Sequence, residues 1–126
     1  VKILIVDDEK EFLNILGDAF KGAGFEVDLL DNAGFADRKL SKDRYDAILL
    51  DLRMPYVDGY GLLKIARLGV NSKMTPAFIM SGALDVSAVT RLRQMGVKGF
   101  FVKPPNFEDM ISKIKAHITA SESPLP

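Results

Sequence analysis

Five short runs poor in polar residues punctuate the chain, and a longer amphipathic segment follows each. The runs span 2–6, 26–30, 46–50, 76–80 and 99–102, and their length and composition predict strands. After the first, Phe12, Ile15, Leu16, Ala19, Phe20 and Ala23 recur at helical spacing, and Gly24 is placed to stop that helix. A shorter helix is predicted over 33–40, and a third over 61–68 around Leu62, Leu63, Ile65 and Ala66. The fourth, over 85–95, opens on Asp85 as N-cap and closes at Gly96. Its apolar stripe of Val86, Val89 and Leu92 is thin, so it should be the most exposed helix. The last begins near Asn106 and carries Phe107, Met110, Ile111, Ile114 and Ile118 on one face. Regular alternation of strand and helix implies an α/β fold, a doubly wound parallel sheet with right-handed crossovers and helices on both faces.

Length and composition narrow the picture without changing it. With 126 residues, 48% hydrophobic and 27% charged, the chain has the make-up of one globular domain able to bury a sizeable core. The expected division is a domain over 1–119 and a small, polar, Pro-bearing tail over 120–126, either a frayed end or the start of a linker. Lys plus Arg equals Asp plus Glu, 17 each, so no global charge draws this domain to nucleic acid or to an anionic membrane. Cysteine is absent, which excludes disulfides and thiol chemistry. No apolar run approaches the ~20 residues that span a bilayer, and Asp7, Asp8 and Glu9 interrupt the opening before a signal peptide could form. A cytoplasmic location is the default expectation. Because the first residue is Val1 rather than Met, a cut-out domain or a missing start is expected.

Candidate chemistry lies where strands end in charge. The first run leads into Asp7-Asp8-Glu9 and the third into Asp51. Parallel sheets of this kind bind ligands at the carboxyl ends of their strands, so Asp7, Asp8 and Asp51 would crowd one edge. A lone acid at such a place is ordinarily a helix cap. A consecutive pair matched by a third carboxylate is instead stable only with a cation, a shared proton or a salt-bridging partner. Oxygen-only ligands, no Cys, and a sole histidine, His117, far along the last helix point to Mg²⁺ or Mn²⁺.

Asp51 heads a loop rich in turn formers, Asp51-Leu-Arg-Met-Pro-Tyr-Val-Asp-Gly59. Turn chemistry explains the loop but not the acid before it, and a carboxylate beside a metal can attack phosphorus to form an acyl phosphate. Lys103, directly after the fifth run, would neutralise the charge that spreads in that step. Pro104 after it makes a cis Lys103–Pro104 peptide a candidate feature. Ser81 follows the fourth run. Its hydroxyl either satisfies a local turn or donates to a phosphoryl oxygen.

Taken together and in this order, these residues resemble the receiver domain of two-component response regulators, over about residues 2–118. The acidic pair of that family is matched by Asp7 and Asp8, its phosphoacceptor by Asp51, and the Met-Pro and Asp-Gly of the next loop by Met54-Pro55 and Asp58-Gly59. Its Ser or Thr is matched by Ser81 and its Lys-Pro by Lys103-Pro104. Phe100 occupies the place of its rotameric aromatic switch. The resemblance implies a flavodoxin-like (βα)₅ fold with strand order 2-1-3-4-5. It implies Mg²⁺-dependent phosphoryl transfer to Asp51 from a sensor histidine kinase or phosphotransfer protein. Asp8 and Asp51 would bind the metal through side chains, Asp7 largely through water, and Arg53 through its backbone carbonyl. Lys103 and Ser81 would capture the phosphoryl group, Phe100 would rotate, and the face of the fourth helix, fifth strand and fifth helix would carry the signal onward. An effector domain fused after residue 126 and a phosphorylation-dependent homodimer are both open to such a domain.

Departures from the family pattern are local. Pro105 and Asn106 precede Phe107, which displaces the expected start of the last helix, and Phe rather than Tyr at 100 removes a hydroxyl. Gly82 after Ser81 would loosen the switch loop. On this reading the chain is a signalling domain that catalyses only its own phosphorylation and autodephosphorylation. One rival is a Mg²⁺-dependent phosphohydrolase using Asp51, which wants a second acid where Arg53 stands. A flavin-binding protein is another, but the acids would repel its phosphate. A third, a pseudo-receiver acting as an unphosphorylated docking module, has no need of the intact acids.

Overall fold

The computed structural model describes residues 1–52 and 59–122. Its strands are β1 (Lys2–Val6), β2 (Glu26–Leu30), β3 (Ala47–Asp51), β4 (Ala77–Ser81) and β5 (Val97–Val102). They form one parallel sheet in the order β2-β1-β3-β4-β5. The helices are α1 (Lys10–Gly22), α2 (Ala36–Lys42), α3 (Gly59–Leu68), α4 (Val86–Gln94) and α5 (Phe107–Glu122). This is the doubly wound arrangement that the alternation implied, in the flavodoxin-like strand order that the resemblance implied.

Strand period divides the core. Ile3, Ile5, Ala47, Leu49, Phe78 and Met80 point to one face and pack under α1 and α5, against Leu16, Phe20, Met110 and Ile114. Leu4, Val6, Ile48, Leu50, Ala77 and Ile79 point to the other and meet Leu40, Leu62, Leu63 and Leu92 of α2, α3 and α4. Both faces of the central strands are therefore dry, which is why β3 and β4 are buried throughout.

Several boundaries moved. β3 and β4 each run one residue beyond their last apolar position, so Asp51 and Ser81 are strand residues. β5 starts at Val97, through a register irregularity opposite Ala77 and Phe78. A 3₁₀ turn, Ala33–Phe35, precedes α2, which continues to Lys42. In α1 the buried positions are Leu13, Leu16, Gly17 and Phe20, whereas Ile15 is exposed. Gly24 takes a positive φ of 94° where the chain leaves that helix.

Asp85 caps α4 by accepting from Ala88 N at 2.7 Å, and Leu92 is the one buried residue of that helix. Asn106 caps α5 in the same way, accepting from Asp109 N at 2.8 Å. α5 thus starts at Phe107 and extends through Glu122, past the expected domain boundary at Thr119. Among the described residues no helix is long and apolar enough to cross a membrane.

Candidate functional site

Strand parity brings three of the charged candidates to one side. Asp7 follows Ile5 by two positions, Asp51 follows Leu49 by two and Lys103 follows Phe101 by two, and those three apolar residues share the face under α1 and α5. Asp7 and Asp51 are 0% and 5% exposed. One oxygen from each of Asp7, Asp8, Glu9 and Asp51 can be chosen so that all lie within 4.8 Å of one another. Asp8 and Glu9 open to solvent.

Lys103 Nζ reaches into this group. It lies 2.7 Å from Asp7 Oδ2, 3.1 Å from Glu9 Oε1 and 3.3 Å from Asp51 Oδ2, and 4.7 Å from the centre of the Phe12 ring. Burial works against its charge, but Asp7, Glu9 and Asp51 outweigh burial and hold the ammonium above the ordinary lysine value. Its amide donates to Ser81 O at 2.9 Å, and the Lys103–Pro104 peptide is cis.

The two oxygens of the Asp7 carboxylate are held differently. Oδ1 accepts from Glu9 N at 2.9 Å, while Oδ2, fully buried, has no hydrogen bond. That oxygen instead faces Lys103 Nζ in an ion pair at 2.7 Å. Four carboxylates gathered beside a single ammonium leave an excess of negative charge that a hard divalent cation would offset. The donor set is entirely oxygen, so the residues fit Mg²⁺ or Mn²⁺.

Helix α3 begins tight against the end of β3. Gly59 N donates to Leu52 O at 2.9 Å, and a Cβ at position 59 would come within 2.9 Å of both Asp51 O and Leu52 Cα. Glycine is required by that approach. The remaining loop candidates, Arg53, Met54-Pro55 and Asp58, lie outside the described residues.

Ser81 and Phe100 belong to the other side of the sheet. Ser81 is fully buried, and its Oγ donates to Ala83 O at 2.9 Å while accepting from Ala83 N at 3.3 Å. The hydroxyl is thus engaged by its own turn. Phe100 packs against the core under α4, with the Arg93 guanidinium 5.8 Å from its ring centre.

Two participants escaped the sequence reading. Glu9 was read as part of the acidic run but not as a partner of Lys103, and Phe12 only as core. Glu9 and Phe12 lie at the opposite end of the chain from Lys103, so no local pattern joins them to it. The one available signal was that α1 follows the acidic run directly.

A doubly wound sheet with acids and a lysine at its carboxyl edge places its charged side chains where α/β domains of this class bind their ligands. Comparison with known proteins is more specific. The model of the response regulator receiver domain matches residues 3–115, and the chain belongs to that family, the receiver domains of two-component signalling. It is 30% identical to the probable chemotaxis protein CheY of Rhizobium etli, covering 92% of this chain and 91% of that protein. It is also 30% identical to the transcriptional regulatory protein ZraR of Klebsiella oxytoca, covering 99% of this chain but 28% of that protein. The chain spans about half the length of other transcriptional regulators that it matches, 53% and 50% in two of them. Among solved structures, a two-component response regulator from Clostridium difficile superposes with a TM-score of 0.89 at 28% identity, covering 98% of this chain and 99% of that one.

Proposed function

We propose that this domain is a phosphorylation-dependent signalling switch in which Asp51 accepts a phosphoryl group from a histidine kinase or phosphotransfer protein. In the transfer, an Asp51 carboxylate oxygen attacks phosphorus, the donor P–N bond breaks, and its electron pair returns to the donor imidazole. The product is an acyl phosphate on Asp51. The single observation that carries this reading is the convergence of Asp7, Asp8, Glu9 and Asp51 oxygens within 4.8 Å, with Lys103 Nζ 3.3 Å from Asp51.

Asp8 and Asp51 would hold Mg²⁺ directly, Asp7 largely through water, and Arg53 through its carbonyl. Bound there, the cation neutralises the carboxylates and the charge that spreads over the phosphoryl oxygens. Lys103 takes one phosphoryl oxygen as a point charge. Ser81 takes another after giving up Ala83 O, and its inward turn frees space for Phe100 on the same side of the sheet. Readout is a population shift of the face formed by α4, β5 and α5. A cytoplasmic protein, with no direct contact of this domain with nucleic acid or membrane, completes the proposal. Catalysis is confined to the domain's own phosphorylation and dephosphorylation.

The test uses acetyl phosphate as a small donor. With Mg²⁺, the intact mass should rise by one phosphoryl group, and peptide mapping after borohydride trapping should locate it at Asp51. Asp51→Asn should stay unmodified. Modification of the variant to the same extent would refute the assignment.

A further inference from the structure

Lys103 has three carboxylate partners that differ sharply in their freedom to let go. The side chains of Asp7 and Asp51 are 0% and 7% exposed, whereas that of Glu9 is 65% exposed. Withdrawing the ammonium from a buried carboxylate strands a charge in a poorly solvated place, and withdrawing it from an exposed one returns that carboxylate to water at small cost. Glu9 is also tied from its backbone. Its amide donates to Asp7 Oδ1, and it is the N-cap of α1, although its side chain makes no cap hydrogen bond. The carboxylate is thus carried by a fixed main chain on a free side chain, with Oε1 accepting from Lys103 Nζ at 3.1 Å.

We propose that Glu9 is the releasable latch of Lys103: it occupies the ammonium while Asp51 is unmodified and must let go before Lys103 can turn to a phosphoryl oxygen. This inference rests on the reading of Asp51 as phosphoacceptor and deepens it, because it assigns a positioning residue that sets how readily the site closes. The exchange is between hydrogen-bond acceptors on one ammonium, with no proton moved. Glu9 therefore opposes closure, and weakening its hold should favour the modified form.

Beryllofluoride, the non-transferable stand-in for the phosphoryl group, is titrated at saturating Mg²⁺ into the parent chain and into Glu9→Gln, Glu9→Asp and Asp51→Asn. Glu9→Gln removes the charge, and should bind beryllofluoride about fivefold more tightly, the scale of one exposed ion pair. Glu9→Asp keeps the charge but is shorter by one methylene, so it should tighten binding similarly. If only the charge-removing variant gains, Glu9 acts by repelling the anion and the latch is overturned. Equal or weaker binding by both variants overturns it as well, provided Asp51→Asn loses binding. Indifference of Asp51→Asn would instead overturn the phosphoacceptor reading on which the latch depends.

Discussion

The two ends of the sheet handle charge in opposite ways. At the amino edge, cations and acceptors are matched. Lys2 Nζ lies 3.6 Å from both Asp28 and Asp43, its backbone amide donates to Asp46 at 2.8 Å, and Tyr45 OH donates to Asp28 at 2.6 Å. Nearby, Arg67 at the end of α3 donates to the carbonyls of Ser72, Lys73, Thr75, Met95 and Gly96. That guanidinium ties α3, the start of β4 and the turn into β5 together. At the carboxyl edge, four carboxylates gather and a single ammonium, that of Lys103, pairs with three of them. A balanced cluster holds the fold, whereas an acid-rich one is poised to take up positive charge.

Arg67→Ala would break the balanced end most severely. It strips several carbonyls of a charged donor at once, and should cost about 2–3 kcal/mol in urea unfolding while leaving Mg²⁺ affinity unchanged. An equal loss of Mg²⁺ binding would mean that the two ends are not separable.

Asp28→Asn should cost less, about 1 kcal/mol for a partly exposed hydrogen-bonded acid, and carries a pH signature. Burial pushes the Asp28 carboxyl up, but the Tyr45 hydrogen bond and the charges of Lys39 and Lys2 outweigh it and hold it below its ordinary value of 3.8. Burial and the same bond push the Tyr45 hydroxyl upward. Because the folded carboxyl is the stronger acid, its contribution is present above pH 3.8 and lost as pH falls through its lower folded value. Thermal melts of Asp28→Asn should therefore show a shallower decline over that acid range than the parent.

Asp8→Asn sharpens the contrast from the other side with the smallest effect. Relieving repulsion among the acids should raise the metal-free melting temperature slightly at low salt, and the same variant should bind Mg²⁺ more weakly. A drop in metal-free stability would contradict the view of this edge as over-supplied with negative charge.

Much of this was legible before the fold. Dry runs such as 46–50 announce a strand covered on both sides, and acids that follow such runs must collect at one edge once the crossovers share a hand. Strand ends were misjudged where hydrogen bonding outlasts hydrophobicity: Leu52 N still donates to Met80 O, and Lys103 N to Ser81 O, so Asp51 and Ser81 remain in the ladder. Ile15 matched the helical spacing yet faces solvent, because the buried stripe of α1 runs through Leu13 and Gly17 instead. Arg67 carries no signal in the sequence. Its role depends on carbonyls from loops that only the folded chain brings within reach, and the grip of Glu9 on Lys103 has the same origin.

The central claim is that carboxylates from the segment after β1 and from the end of β3 converge on one cation, leaving Asp51 to receive phosphorus. Calorimetric titration of beryllofluoride in the presence and absence of Mg²⁺, for the parent and for Asp51→Asn, tests it most directly. Saturable binding by the parent that requires Mg²⁺ and vanishes in the variant is the predicted result. Binding that survives the substitution, or that needs no Mg²⁺, would contradict the claim.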